Sequence, residues 1–572
     1  MKIKLNAFIL VILMLFFCIP VQSASSSKYK FAATNGSPNG NGTIDKPWDL
    51  YTALTSKNIQ PGDILYIRGG TYDTSSIGGK SFVCTLKGNS KNPITIMPYN
   101  NEKVIFDGKS NSDGNPTLNV TGEWLIIRDF YFTNSNKERN SYKSDISDLQ
   151  TNSGVDFSAP NSKLINCFIY DNIGVGCGFW NPAVDSELYG CLIFNNGYND
   201  NYRHRGTGHN IYAQNQTGTK LIHDNFIFNS VSYGLHAYFT GDSKDPKRNY
   251  QSGFDIQRNI SFNNGVLVSS YKSNYLVGGM QPYSNVYLKD NYAYMWTDTA
   301  GKNYQMGYES INIDCTLENN YSFRSGTAFE FINFKEINFI GNTIVNKGKS
   351  AAVSCVVPAE SGYDKYIFKN NLYYGTNSTF FRHTDHRGYS DTGNFNLWRN
   401  FTKNDNGSTF TIGLPNKNLV SVLPNKYEKG RANIVIFNYL GNDYQKIDVS
   451  HVLEKGSEYY VYDVQNIFGK PILSGIYDGS LLNIPMNLTE CQQPNVNIDI
   501  GLKHTSKEFG TFLLLSRPLD EKHKITVDTN IKGKTTKFKD LVSYDWDKNG
   551  VSILAAMGFI SARLLFISME KK

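Results

Sequence analysis

The residues best suited to chemistry crowd into one stretch of this 572-residue chain. Asn201-Tyr202-Arg203-His204-Arg205-Gly206-Thr207-Gly208-His209 is soon followed by Tyr212, His236 and Tyr238. Histidine titrates near neutral pH, so His236 or His209 can take a proton. Tyr212 or Tyr238 can return one to a leaving oxygen. Arg203 can hold a carboxylate through two parallel hydrogen bonds and stabilise negative charge that develops beside it; Arg205 offers a second fork. This set suits β-elimination, in which the proton beside a carboxylate is removed, and a uronic acid presents such a proton. Trp180 offers a flat face for a sugar ring, and Asn210, Asp156 and His204 offer further polar contacts.

Other chemistries fit less well. Hydrolysis of a glycosidic bond requires paired carboxylates. Asp156, Asp200, Asp242, Asp255 and Glu309 are available, but only Asp156 and Glu309 fall on the outward column expected below, several coils apart. No P-loop, dinucleotide fingerprint or HExxH sequence is present. His383-Thr384-Asp385-His386 has ligand-type residues but reads as a surface loop, so the metal is left open. No cofactor is required, and calcium is the ion such a site would admit.

A short repeat must position these residues. A polar residue or cysteine, three mostly apolar residues and then Asn, Asp or Ser recur as Asp129-Phe130-Tyr131-Phe132-Thr133-Asn134, Cys167-Phe168-Ile169-Tyr170-Asp171-Asn172 and Cys191-Leu192-Ile193-Phe194-Asn195-Asn196. Asn225-Phe226-Ile227-Phe228 and Asn259-Ile260-Ser261-Phe262 continue it, with looser copies from Asn291, Asn320, Asn342 and Asn371. The starts lie 38, 24, 34, 34, 32, 29, 22 and 29 residues apart. The shortest interval matches one turn of a wide β-solenoid, and the longer ones add a loop. One coil cannot bury its apolar face alone, so stacked coils must line like residues into columns. Phe, Ile, Leu and Tyr are expected inside, and Asn at the bends, where it tolerates left-handed backbone and can bond the next coil. Cys167 and Cys191 share the Asn225 column as small stacked residues, with an inter-coil disulfide as the alternative.

A second pattern aligns the chemistry. Gly154-Val155-Asp156-Phe157-Ser158, Gly176-Cys177-Gly178-Phe179-Trp180, Gly208-His209-Asn210-Ile211-Tyr212 and Gly234-Leu235-His236-Ala237-Tyr238 each read as a strand of alternating direction. Val155, Phe157, Cys177, Phe179, Ile211, Leu235 and Ala237 point inward. Asp156, Asn210, His236, Trp180, Tyr212 and Tyr238 are expected outside on one sheet, and His209 falls at an inward position. Coils about 4.8 Å apart would let these groups share one substrate residue.

The ends and charge bound the rest. Lys2 and Lys4, an apolar run from Ala7 to Ile19 and the small residues Val21 and Ser23 read as an export leader over residues 1–23. The seven cysteines beyond it are scattered and odd in number, which is no disulfide framework, and no CxxC pair suggests zinc. Of the net charge of +7, the leader holds +2 and residues 521–572 hold +4, so the main body is nearly neutral. A nucleic-acid partner is therefore not expected. No stable membrane span is expected after leader removal, and the protein is expected to be a monomer, secreted or at the cell surface or in the periplasm.

From about residue 28 to 400 the chain resembles the pectate-lyase-like superfamily of right-handed β-helix proteins. Asn39-Gly40-Asn41-Gly42-Thr43-Ile44-Asp45-Lys46-Pro47-Trp48, Pro61-Gly62-Asp63-Ile64-Leu65-Tyr66-Ile67-Arg68-Gly69-Gly70-Thr71-Tyr72, Pro93-Ile94-Thr95-Ile96 and Ile105-Phe106-Asp107-Gly108 are similar to segments of such proteins. The resemblance implies an all-β fold: a parallel β-helix over residues 24–405 with an N-terminal cap. A small antiparallel β-sandwich over 406–516 resembles the module appended to many carbohydrate-active enzymes, with packing as its expected role. A tail, 517–572, has no expected structure. Members include polysaccharide lyases, glycoside hydrolases, epimerases and non-catalytic surface proteins. The acidic calcium cluster and catalytic lysine or arginine of a pectate or chondroitin lyase are not recognisable at matching positions. The expected function is a secreted polysaccharide lyase acting on an acidic glycan, with a glycoside hydrolase or a glycan-binding surface protein as alternatives.

Overall fold

The computed structural model describes residues 28–527 and 538–540, except 110–113, 269–271, 360–361, 377–378, 386, 498–500 and 506. The expected leader and most of the tail lie outside the described residues. Among those described, no helix is long and apolar enough to cross a membrane.

Three twelve-stranded sheets wind around one axis. Within the sheets, successive coils pair in parallel, strand on strand. We call them the site sheet (Val155–Phe157, Cys177–Phe179, Ile211–Ala213, Leu235–Ala237, Ser273–Val277 and others), the back sheet (Lys163–Ile165, Glu187–Tyr189, Lys220–His223 and others) and the ladder sheet (Phe168–Tyr170, Leu192–Phe194, Phe226–Phe228 and others). The ladder sheet carries the repeat read from the sequence, in the expected register: Phe226 pairs with Ile260, and Ile260 with Tyr292. The architecture is a right-handed parallel β-helix.

One bend does much to set the coil. Between back and ladder sheets, Asn166, Gly190, Asp224, Arg258, Asp290, Asn319, Gly341 and Asn370 all take positive φ. Gly, Asn and Asp enter that region at little cost. Arg258 is the exception, held by two hydrogen bonds to Asp224 Oδ1 at 2.9 and 2.5 Å. The next residue of each coil forms a ladder. Asn225 Nδ2 donates to Asn259 Oδ1 at 2.9 Å, Asn259 to Asn291 at 3.0 Å and Asn291 to Asn320 at 2.9 Å. Cys191 extends the column, its N–H donating to Asn225 Oδ1 at 2.9 Å. Every described cysteine is a free thiol, so Cys167 and Cys191 are stacked residues and form no disulfide.

One expectation about the core is corrected. Phe130, Phe132 and Tyr373 of the repeat lie inside the coil as expected, but most of its aromatic residues do not. A three-residue strand between two bends turns only its middle side chain inward, so Ile169, Ile193 and Ile227 join the helix core. Their neighbours Phe168, Phe194, Phe228 and Phe262 face out and form a separate cluster. Phe194, Phe228 and Phe262 stack with centroids 4.8 Å apart.

The C-terminal unit covers that aromatic face. Its sheet of five strands includes Leu419–Pro424, Ala432–Phe437, Glu458–Asp463 and Phe509–Leu515, and Tyr444–Ile447 pairs separately with Leu482–Pro485. Val435, Phe437, Leu513 and Leu515 pack on the phenylalanine ladder. Polar contacts ring the joint: Lys426 Nζ meets Glu187 at 2.7 Å, and Glu508 accepts from Lys347 at 3.0 Å and from Arg324. The helix also runs slightly farther than residue 405, because Thr409–Ile412 adds a last rung to the ladder sheet beside Leu372–Gly375.

Candidate functional site

Strand register builds the site. Asp156 pairs with Gly178, Gly178 with Tyr212, and Tyr212 with His236. Val155, Phe157, Cys177, Phe179, Ile211, Leu235 and Ala237 lie inside at 0 or 1 % exposure. Asp156, Tyr212 and Tyr238 are thereby left on the outer face, partly exposed.

The outer residues form a continuous aromatic wall. Trp180 and Tyr212 lie with ring centroids 5.4 Å apart, Tyr212 and His236 5.1 Å, His236 and Tyr238 4.8 Å, and Tyr238 and Tyr308 5.5 Å. Tyr233 stacks on His236 at 4.5 Å with a 7° interplanar angle. From the coil of Trp180 to that of Tyr308 are four coil steps, roughly 19 Å at the usual strand spacing. Gly178 makes the Trp180 end possible. A Cβ there would lie 2.6 Å from the Trp180 ring and 2.7 Å from Asp156 Oδ1.

Burial sets the protonation of this wall. Desolvation takes His209 down to about 3 and His236 well below its usual value, with the cation of Lys272 acting the same way on both. Both imidazoles are therefore neutral at pH 7, and Nδ1 of each has no hydrogen-bond partner. Burial raises Tyr212 and Tyr233 to about 12, so both remain protonated donors. Burial also raises Asp156 to about 6, against hydrogen bonds from Trp180 and Ser153.

Two expected positions are corrected. Asn210 is not on the outer face. It is fully buried in a second asparagine ladder, accepting from Asn196 Nδ2 at 2.9 Å and donating to Asn264 Oδ1 at 3.0 Å. His209 is not inward; its ring lies 4.2 Å from His236 and 5.5 Å from Tyr212. Strand alternation fails for both because the strand begins only at Ile211. Before it the chain is still turning.

The loop residues divide. Tyr198–Asp200 and Arg205–Thr207 form an antiparallel hairpin. Arg203 is engaged within it, donating to Asp200 Oδ2 at 3.0 Å and Ser144 O at 2.7 Å. His204 is exposed at the tip with φ of 52°. Neither has a contact with the aromatic wall. Arg205 does reach the site electrostatically, lowering the proton affinity of His209 and of Lys272.

Lys272 and Tyr233 are site residues that sequence reasoning missed. Lys272 Nζ lies 5.8 Å from the Tyr233 ring centroid, and burial and Arg205 hold its ammonium below the ordinary lysine value. Tyr233 occupies the column of His209 one coil on; the glycine-led match set Gly208 against Gly234, whereas the structure pairs Tyr212 with His236, two residues away from that register. Lys272 precedes Ser273-Asn274-Tyr275-Leu276-Val277, a copy without the leading glycine, and so it escaped the alignment.

No group of three or more His, Cys, Asp or Glu side chains suited to a metal ion occurs among the described residues. In the His383–His386 cluster, His383 pairs with Tyr363 and Asp385 with Arg387, while His386 lies outside the described residues. Asp156 has no carboxylate on the neighbouring rungs of its column, where Asn119 and Gly178 stand.

The fold and the residue columns define a right-handed β-helix with an aromatic, cation-edged face. Residues 30–338 match the model of the Pel9A-like right-handed β-helix region, and the chain belongs to that family. Similar solved structures include the pectate lyase Pel9A, at 15 % identity over 60 % of this chain and 79 % of that one, with a TM-score of 0.42. A rhamnogalacturonan lyase matches at 16 % identity, 60 % and 87 % coverage and a TM-score of 0.40. A GH136 lacto-N-biosidase from Eubacterium ramulus matches at 13 % identity, 68 % of both chains and a TM-score of 0.34. Likeness at this level concerns the fold alone. No curated protein sequence matches the chain.

Proposed function

We propose that the protein is an exported polysaccharide lyase that binds an acidic glycan along the wall from Trp180 to Tyr308 and cleaves it by β-elimination. The observation that carries this reading is the placement of Lys272, 5.8 Å from the Tyr233 ring centroid, at the edge of an aromatic wall with two neutral imidazoles, where Arg205, paired with Asp200 at 3.5 Å, adds its charge. Flat apolar faces suit sugar rings. The cations suit a uronate carboxylate, whose charge grows as the neighbouring carbon loses its proton.

Roles follow from proton affinity. A base with a value near 3 is weak, because catalysis favours a base poised near the working pH. Burial weakens His209 and His236 alike as bases in the empty site, and His209, beside His236, is assigned to positioning. His236 gains proton affinity when an anionic sugar sits against its ring, and it is assigned the base. Lys272 stays the cation that meets the carboxylate. Tyr238, raised by burial and by Tyr308 and Glu309, stays protonated and returns a proton to the leaving oxygen. Asp156 and Trp180 hold a sugar at the far end. Calcium would bridge uronate and protein only with carboxylate ligands beyond Asp156, so no step is assigned to it.

The test is a panel of acidic and neutral polysaccharides, with ultraviolet absorbance of the unsaturated product and new reducing ends followed together. Elimination raises both signals. Reducing ends without absorbance indicate a hydrolase, and binding without either indicates a glycan-binding surface protein.

A further inference from the structure

A second feature of the described residues is unused by that chemistry. Arg139 is 5 % exposed, yet only its Nη2 finds acceptors: Asn134 O at 3.4 Å and Asp171 O. Its Nε and Nη1 have no partner, and neither amide atom of Asn195, 2 % exposed, has one either. Both side chains line a cavity of about 200 Å³. That is several times the roughly 30 Å³ a water occupies.

The walls are of two kinds. Arg139, Asn140 and Asn195 supply polar groups, and Val231, Leu267 and Val496 supply apolar surface. The charge of Asp171 acts on Arg139, but its Oδ1 accepts from the N–H of Asn495 at 3.0 Å and leaves Nε and Nη1 of Arg139 without a partner. Burial lowers the Arg139 guanidinium to about 10 against the charge of Asp171, in keeping with its unpartnered Nε and Nη1. Orphaned buried donors are rare in native proteins and ask for a ligand or a network of waters.

We propose that this cavity binds a small organic carboxylate, its oxygens on Arg139 and Asn195 and its hydrocarbon part against Val231 and Leu267. Arg139 supplies charge, Asn195 both a donor and an acceptor, and the aliphatic wall excludes bare inorganic anions. The cavity shares no lining residue with the aromatic wall, so the proposal stands whether or not the protein is a lyase.

The test titrates the full chain calorimetrically with glucuronate and with acetate, and with glucose and sodium chloride as controls. Saturable binding of the carboxylates is expected, without binding of glucose or chloride. R139Q should weaken it about tenfold or more, the worth of a charged hydrogen bond. Since R139Q also loses contacts to backbone carbonyls and risks misfolding, L267W provides the second variant; it fills the cavity, leaves the guanidinium in place and should abolish binding. A chain carrying R205M and K272M should keep it, which separates this cavity from the other site. Equal binding of glucose, no carboxylate binding, unchanged binding in L267W, or loss in the R205M/K272M chain would each overturn the proposal.

Discussion

His209 and His236 meet edge to face, with ring centroids 4.2 Å apart, and Nδ1 of each is buried without a hydrogen-bond partner. Two imidazoles this close cannot both carry charge, and burial already disfavours the first proton. The pair is therefore a neutral element of the wall until an anion arrives.

The pair makes stability depend on pH. An unfolded histidine takes its proton near 6.5, whereas folded His209 does so only near 3. Between those values the unfolded chain binds more protons. The contribution is present above 6.5 and is lost as pH falls toward 3. Asp156, raised to about 6, acts in the opposite direction. Comparison with H209Q isolates the histidine: between pH 6.5 and 5 the wild type should lose roughly 2 kcal/mol more stability than the variant in urea titrations. Parallel pH curves would refute the assignment.

Gly178 should resist substitution. In G178A the new Cβ meets the Trp180 ring and Asp156 Oδ1 at under 3 Å. The indole must move, so tryptophan emission should shift and glycan affinity should fall severalfold, with the fold kept. Unchanged emission and affinity would show that Trp180 is not held there.

Lys220 staples the same strands from within. Fully buried, it donates to the carbonyls of Phe179 at 3.1 Å, Trp180 at 2.6 Å and Gln214 at 2.6 Å. K220M takes the donor from Gln214 O and a second donor from Phe179 O and Trp180 O, which keep the N–H groups of Gln214 and Ala183, and should cost about 2 kcal/mol in denaturant unfolding. A loss below about 1 kcal/mol would mean that water replaces the ammonium.

Asn259 tests the ladder. Its amide donates to Ile222 O at 2.7 Å and Asn291 Oδ1 at 3.0 Å, and it accepts from Asn225. N259L should cost about 3 kcal/mol or more, since several buried groups lose partners together. N259D, which sets a second buried oxygen against the acceptors Ile222 O and Asn291 Oδ1, should cost at least as much, and a stability equal to wild type in either variant would contradict the ladder's role.

The coil was legible because its period rests on local chemistry. Asn at the bends and three apolar residues between them state both register and handed turns. Which side of Phe194 or Phe228 faces the core was not legible, since the cover comes from Val435 and Leu513, more than two hundred residues later. At the site, alternation placed Tyr212 and His236 correctly within their strands. It failed at His209 and Asn210, where the turn had not ended, and at Lys272, whose approach to Tyr233 depends on a coil without the glycine signal.

The central claim is that a cation beside the imidazoles serves a uronate. The most direct measurement is the rate at which unsaturated uronate forms from the best acidic glycan, for wild type and K272M at matched stability. The account predicts loss of at least about a hundredfold in K272M, the worth of a transition-state charge contact, with neutral glycans untouched by either protein. Equal rates in the two proteins, or cleavage of neutral glycans at the same rate, would contradict it.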